Sequence, residues 1–165
     1  MRRHTWLWLG LALVVIALDQ GTKVLATSTL SVHDPLAVTP FLNFTLTHNT
    51  GAAFSFLSDA GGWQRWFFSA LSLAVSAFIV VWLRKLPPDK RWLGCALALV
   101  LGGALGNLWD RLARGAVVDF IDVYYRSWHW PAFNVADSAI SVGVVILLIS
   151  ILREETPSTA REEEP

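Results

Sequence analysis

Two aspartates sit where acids are least expected. Asp119 is set in Val117-Val118-Asp119-Phe120-Ile121, and Asp137 in Phe133-Asn134-Val135-Ala136-Asp137-Ser138, both strongly apolar surroundings. Taken singly, each has a plain structural role: Asp119 as a loop acid beside an arginine, Asp137 as an anion near a helix N-terminus. Taken together they suggest chemistry. Two carboxylates within hydrogen-bonding reach cannot both ionise easily, so they share one proton. The proton-free partner can then deprotonate a water attacking a peptide carbonyl, while the other polarises the carbonyl oxygen; the roles reverse as the leaving amine is protonated.

Other chemistries are poorly served. Cys95 is the only cysteine, so an intramolecular disulfide and a multi-cysteine metal cluster are excluded, and it reads as a small apolar filler. His4, His33, His48 and His129 show no H-E-x-x-H or comparable spacing, so no metal site is expected. A Ser–Lys dyad of Ser138 and Lys23 is conceivable, but a hydroxyl near a helix start commonly caps backbone donors.

Further polar residues interrupt apolar runs. Asp19 and Lys23 stand four apart with the acid first, the favourable order for a helical pair. They could be catalytic, but a self-neutralised pair tying one helix to its neighbours is the stronger reading. Asn107 and Arg111 share one helical face and offer an amide and a planar donor fork, while Asp110 and Arg114 read as a structural clamp. Ala98, Gly102 and Gly106 recur every four residues, a small-residue face expected to pack against another helix.

The elements that must position these groups follow from composition. Of 165 residues 54% are hydrophobic and only 16% charged, with mean hydropathy +0.48, which argues against a soluble or disordered chain and for a membrane protein. Formal net charge is zero, so no basic field invites nucleic acid. Apolar stretches at 6–26, 66–83, 92–112 and 133–152 each approach the ~20 residues needed to cross ~30 Å of hydrocarbon. Trp66 and Trp82, and Trp92 and Trp109, would lie about 24–26 Å apart on helices, as rings at two interfaces should.

Arg2 and Arg3 precede the first stretch, Arg84, Lys85, Lys90 and Arg91 crowd the second link, and Arg153 and Arg161 follow the last. The long first loop carries only Arg65, so both termini and the second link are expected to be cytoplasmic. Arg111, Arg114 and Arg126 near the third link weaken this contrast without reversing it. The run 7–18 has signal-peptide length, but Asp19 and Lys23 interrupt the cleavage region, so an uncleaved first span is expected. Segments 41–47 and 116–125 read as strands of a small outer sheet, and 153–165 as an acidic solvated tail.

Five motifs in order resemble the bacterial lipoprotein signal peptidases (type II signal peptidases) over nearly the whole chain. They are Asp19-Gln20-Gly21-Thr22-Lys23, Asn49-Thr50-Gly51-Ala52-Ala53-Phe54-Ser55, Gly103-Ala104-Leu105-Gly106-Asn107-Leu108-Trp109-Asp110-Arg111, Val117-Val118-Asp119-Phe120 and Phe133-Asn134-Val135-Ala136-Asp137-Ser138. The resemblance implies a four-helix membrane fold and an aspartic endopeptidase of the plasma (inner) membrane. It would cut diacylglyceryl-modified prolipoproteins just before the lipidated cysteine, near the outer face. It implies Asp119 and Asp137 as catalytic dyad, Asn49, Gly51, Asn107, Arg111 and Asn134 as substrate-binding residues, and Asp19 and Lys23 as a structural ion pair. Lipid-modified signal peptides and membrane lipids are the implied partners, globomycin the implied inhibitor, and no metal or organic cofactor is implied.

The physics suits that substrate, because a soluble protease would have to extract lipid at ~0.8 kcal/mol per CH₂. The first-loop strand with Gly51-Ala52-Ala53 could form a mobile cover over the pocket, and Asp122 is the reserve acid should Asp119 fail. Two other functions fit the intramembrane charges: a small proton-coupled carrier, and a non-catalytic membrane chaperone or subunit using the small-residue face.

Overall fold

The computed structural model of the protein describes residues 3–32, 34–51 and 61–154. Four helices dominate: α1 (Arg3–Thr29), α2 (Trp63–Lys85), α3 (Arg91–Ala113) and α4 (Val135–Glu154). All are long and apolar enough to cross a membrane. Strands β1 (Leu36–Thr39) and β2 (Leu42–Asn49) lie between α1 and α2, and β3 (Val117–Tyr125) and β4 (Trp128–His129) between α3 and α4. They form one antiparallel sheet in the order β1-β2-β3-β4.

Expected and observed boundaries differ in instructive places. The first helix runs beyond 6–26 at both ends, because hydropathy marks the hydrocarbon crossing and not the end of helical hydrogen bonding. The fourth begins at Val135, not at 133: Phe133 bridges Ile121 of β3 and Asn134 precedes the first turn. The expected strand 41–47 is Leu42–Asn49, and 116–125 is Val117–Tyr125. β1 and β4 were not expected at all. His33, Ala52, Ala53 and the tail from 155 onward lie outside the described residues, as does the rest of the supposed cover beyond Gly51.

α3 is the enclosed helix, packed on α1, α2 and α4. Its small residues permit this, since in lipid close approach of backbones takes over the role hydrophobicity plays in water. A Cβ on Gly102 would fall 2.6 Å from Val15 Cβ of α1, and one on Gly103 2.4 Å from the Ala136 carbonyl oxygen of α4. At the end away from the sheet, Ala12, Ile79, Leu83, Leu86, Leu97 and Leu101 form an apolar core. Outward faces carry exposed Leu13, Leu25, Leu73, Phe78, Val145 and Leu148, a surface suited to acyl chains. Membrane-length helices with such a surface make this a multi-pass membrane protein.

Candidate active site

The two acids approach through a local device at the start of α4. Asn134 Oδ1 accepts the Asp137 N–H at 2.9 Å, and Asp137 Oδ2 accepts the Asn134 N–H at 3.2 Å. This reciprocal capping box satisfies orphan donors of the first turn and holds the Asp137 carboxylate in place. The Phe133 carbonyl accepts N–H bonds from both Phe120 and Ile121, at 3.1 and 2.9 Å, and the Phe133 N–H returns one to Ile121 at 3.1 Å. Two donors facing one acceptor make a bulge in β3 that lays the approach to α4 beside Asp119.

Asn134 is fully buried and joins the acids. Its Nδ2 donates to Asp119 Oδ1 at 2.7 Å, while its backbone N–H is already on Asp137 Oδ2. Asn49 Nδ2 reaches Asp119 Oδ2 at 3.1 Å, and Asn107 Nδ2 reaches Asp137 Oδ1 at 2.8 Å. Thr47 Oγ1 donates to the Asp119 backbone carbonyl at 3.3 Å. Only 2% of Asp119 is exposed. Burial pushes its pKa up to about 7, the Asp137 charge adds to the rise, and the Asn49 and Asn134 hydrogen bonds and the Lys23 charge oppose it.

Amide orientations are set from behind. Lys23, with no exposed surface, donates to Asp19 Oδ2 at 2.8 Å, Asp110 Oδ2 at 2.7 Å and Asn107 Oδ1 at 3.0 Å. Because the Asn107 oxygen must face Lys23, its NH₂ faces Asp137. Asp19 Oδ1 accepts the Ala136 N–H at 2.9 Å, tying α1 to the first turn of α4. Asp110 also pairs with Arg114 and accepts from Gln20 and the Val118 N–H, which links α1, α3 and β3. The Asp19–Lys23 and Asp110–Arg114 couples are therefore one four-charge cluster, buried except for the exposed Arg114.

Gly51 accepts Arg111 Nη2 on its carbonyl at 2.9 Å and donates its N–H to Asn49 Oδ1 at 2.9 Å. The Arg111 guanidinium lies over the Phe68 ring at 5.4 Å, and its buried Nε has no partner among the described residues. All seven site residues expected from sequence, Gly51 through its backbone, together with Asp19 and Lys23, thus belong to one connected network.

Two alternatives weighed from the sequence do not assemble. Lys23 is committed to three other acceptors and Ser138 Oγ donates to the Asn134 carbonyl at 3.0 Å, so the structure forms no Ser–Lys dyad and Ser138 is no cap for backbone donors. Asp122, the reserve acid, is engaged elsewhere, by Asn43 Nδ2 at 2.9 Å and His129 Nδ1 at 2.9 Å. Thr47 and Gln20 were missed as supports; the strand parity of Thr47 and the position of Gln20 beside Asp19 were the available signals. A cavity of about 340 Å³ opens next to Asp137, between Asn49, the 130–133 segment and the Ser138–Ser141 face of α4.

Four membrane-length helices, with a sheet at one end and two carboxylates that both accept from Asn134 beside it, define a polytopic membrane protein with an acidic polar site at one end of the bundle. The family model described as signal peptidase (SPase) II matches residues 11–153. A lipoprotein signal peptidase of Acinetobacter baumannii (strain ATCC 17978) is 55% identical over 159 residues, 95% of this chain and 90% of that one. One from Teredinibacter turnerae is 57% identical over 141 residues, covering 86% and 84%. A bacterial membrane enzyme solved by the in meso method at 2.3 Å superposes with a TM-score of 0.82 at 33% identity, over 96% of this chain and 93% of that one. A second, at 1.9 Å, gives 0.77 at 34% identity over 89% and 93%. The chain belongs to the signal peptidase II family, and membership makes it a peptidase in preference to a carrier or a chaperone.

Proposed function

We propose that the protein is an intramembrane aspartic endopeptidase that removes signal peptides from diacylglyceryl-modified prolipoproteins, cutting before the lipidated cysteine. Asp119 and Asp137 form the catalytic dyad. The single observation that carries this reading is Asn134, which donates to Asp119 Oδ1 and to Asp137 Oδ2 at once and so holds both carboxyl groups to one reaction centre. A pair so held shares one proton near neutral pH. The ionised member takes a proton from the attacking water while the protonated member polarises the scissile carbonyl; the roles then reverse, and the member that took the water proton gives it to the leaving amine.

Asn49, Gly51, Asn107, Arg111 and Asn134 serve substrate and dyad together. The apolar walls of the adjoining cavity suit a signal peptide and acyl chains. The positive charge at the Arg84-Lys85 and Lys90-Arg91 end of the bundle supports a cytoplasmic orientation of that end and of both termini, with the dyad at the outer face of the inner membrane. Globomycin is the expected inhibitor of the site. The test is purified protein acting on a diacylglyceryl-modified prolipoprotein. Asp119→Asn and Asp137→Asn are each expected to bind substrate and lose at least about a hundredfold in turnover, the lower end of what one acid–base group supplies. Retained cleavage by both variants overturns the mechanism.

A further inference from the structure

A second cavity lies far from the dyad. About 420 Å³ opens between the N-terminal turn of α3 and the C-terminal turns of α4, at the opposite end of the bundle from the sheet. Among the described residues its rim carries Lys90, Arg91 and Arg153 against one acid, Asp89, a net charge of +2. Below the rim the walls are apolar, with Leu93 on α3 and Ile146 and Ile149 on α4. Trp92, also on the wall, is 70% exposed and suited to the interfacial depth. Among the described residues neither the Arg91 nor the Arg153 guanidinium has a carboxylate partner. No side chain caps the first turn of α3.

Cations at headgroup depth above an apolar slot match a molecule that is anionic at one end and hydrocarbon at the other. We propose that this cavity binds one anionic glycerophospholipid from the leaflet on the α2–α3 link side, its phosphodiester against Lys90, Arg91 and Arg153 and an acyl chain along Ile146 and Ile149. Asp89 selects within that class, since its carboxylate accepts from headgroup hydroxyls. The net positive rim disfavours a zwitterion, whose ammonium it repels. A water-soluble phosphate would satisfy the rim but leave the apolar slot unfilled. The proposal rests on membrane residence and not on the peptidase reading, and its readout is lipid retention, not cleavage.

The experiment is native mass spectrometry of the full chain in micelles, titrated with dioleoyl phosphatidylglycerol or dioleoyl phosphatidylethanolamine. Phosphatidylglycerol is expected to be retained at least tenfold more tightly, about 1.4 kcal/mol. The Arg91→Gln/Arg153→Gln variant is expected to lose about thirty-fold, two contacts of roughly 1 kcal/mol each. Arg91→Lys/Arg153→Lys should hold most of the affinity, which separates lost charge from misfolding. Equal retention of the two lipids, full retention by the double Gln variant, or displacement of the lipid by millimolar inorganic phosphate would each overturn the proposal. So would tenfold tighter binding in full-length protein with Glu155, Glu162, Glu163 and Glu164 changed to Gln, because the acidic tail would then be the resident occupant.

Discussion

Lys23→Met tests the buried cluster behind the dyad. Asp19, Asp110, Lys23 and Arg114 sum to zero charge, and the side chains of Asp19, Lys23 and Asp110 have no exposed surface. Removing the ammonium leaves one net negative charge in a region that water does not reach. Breaking a buried pair from one side costs 3–5 kcal/mol. The lower figure applies, because both anions keep donors: Asp19 has Gln20 Nε2 and the Ala136 N–H, and Asp110 has Arg114, Gln20 and the Val118 N–H. At roughly 2–4 °C per kcal/mol for a chain of this size, a loss of about 3 kcal/mol lowers Tm by about 6–12 °C. Thermal melts in micelles, followed by the intrinsic fluorescence of nine tryptophans, read the shift. Asp19→Asn/Lys23→Met removes both charges and keeps an oxygen for the Ala136 N–H, so it should recover about 2 kcal/mol through coupling. A single variant melting within about 2 °C of wild type, or a double variant worse than the single, would refute the charge argument.

Other expectations follow from the same geometry. Because the folded pKa of Asp119 is raised, the native state binds more protons than the unfolded chain between about pH 4 and 7; stability should fall as pH rises through that window, and Asp119→Asn should flatten the Tm–pH curve. Cleavage should show a pH limb near 7 belonging to the coupled pair, read from kcat/KM profiles. Gly106→Ala would set a Cβ 2.6 Å from Asp19 Oδ2 and 3.5 Å from Ala136 Cβ, so it should lower Tm and turnover together at a cost of roughly 1–3 kcal/mol. Asp122→Asn should retain most of the turnover, since that carboxylate is held by Asn43 and His129; a loss matching Asp119→Asn would reassign the dyad.

The four helices could be read from residue order because the cost of placing a side chain in hydrocarbon is a local, additive property. Long apolar runs and the Lys/Arg bias of the links carry that information without reference to partners. The helical pairs Asp19–Lys23 and Asp110–Arg114 were equally visible, since each needs only the i,i+4 spacing of its own helix. The α4 start was misplaced by two residues because Phe133 is apolar enough for a span, yet its backbone is taken by β3. β1 is an exposed four-residue edge strand and β4 has two residues, too short for an alternating pattern to stand out.

Packing alone decided which polar groups meet. The Asn134 contact to Asp119 spans 15 positions, the Lys23 contact to Asn107 spans 84, and the Asp19 contact to Ala136 spans 117. No periodicity encodes such pairings, because a hydrogen bond requires direction and a distance near 3 Å that arise only when glycine faces on α3 let α1 and α4 close in. Residue order therefore settled that this chain crosses a membrane and carries the acids, while the folded arrangement settled that one asparagine binds both of them.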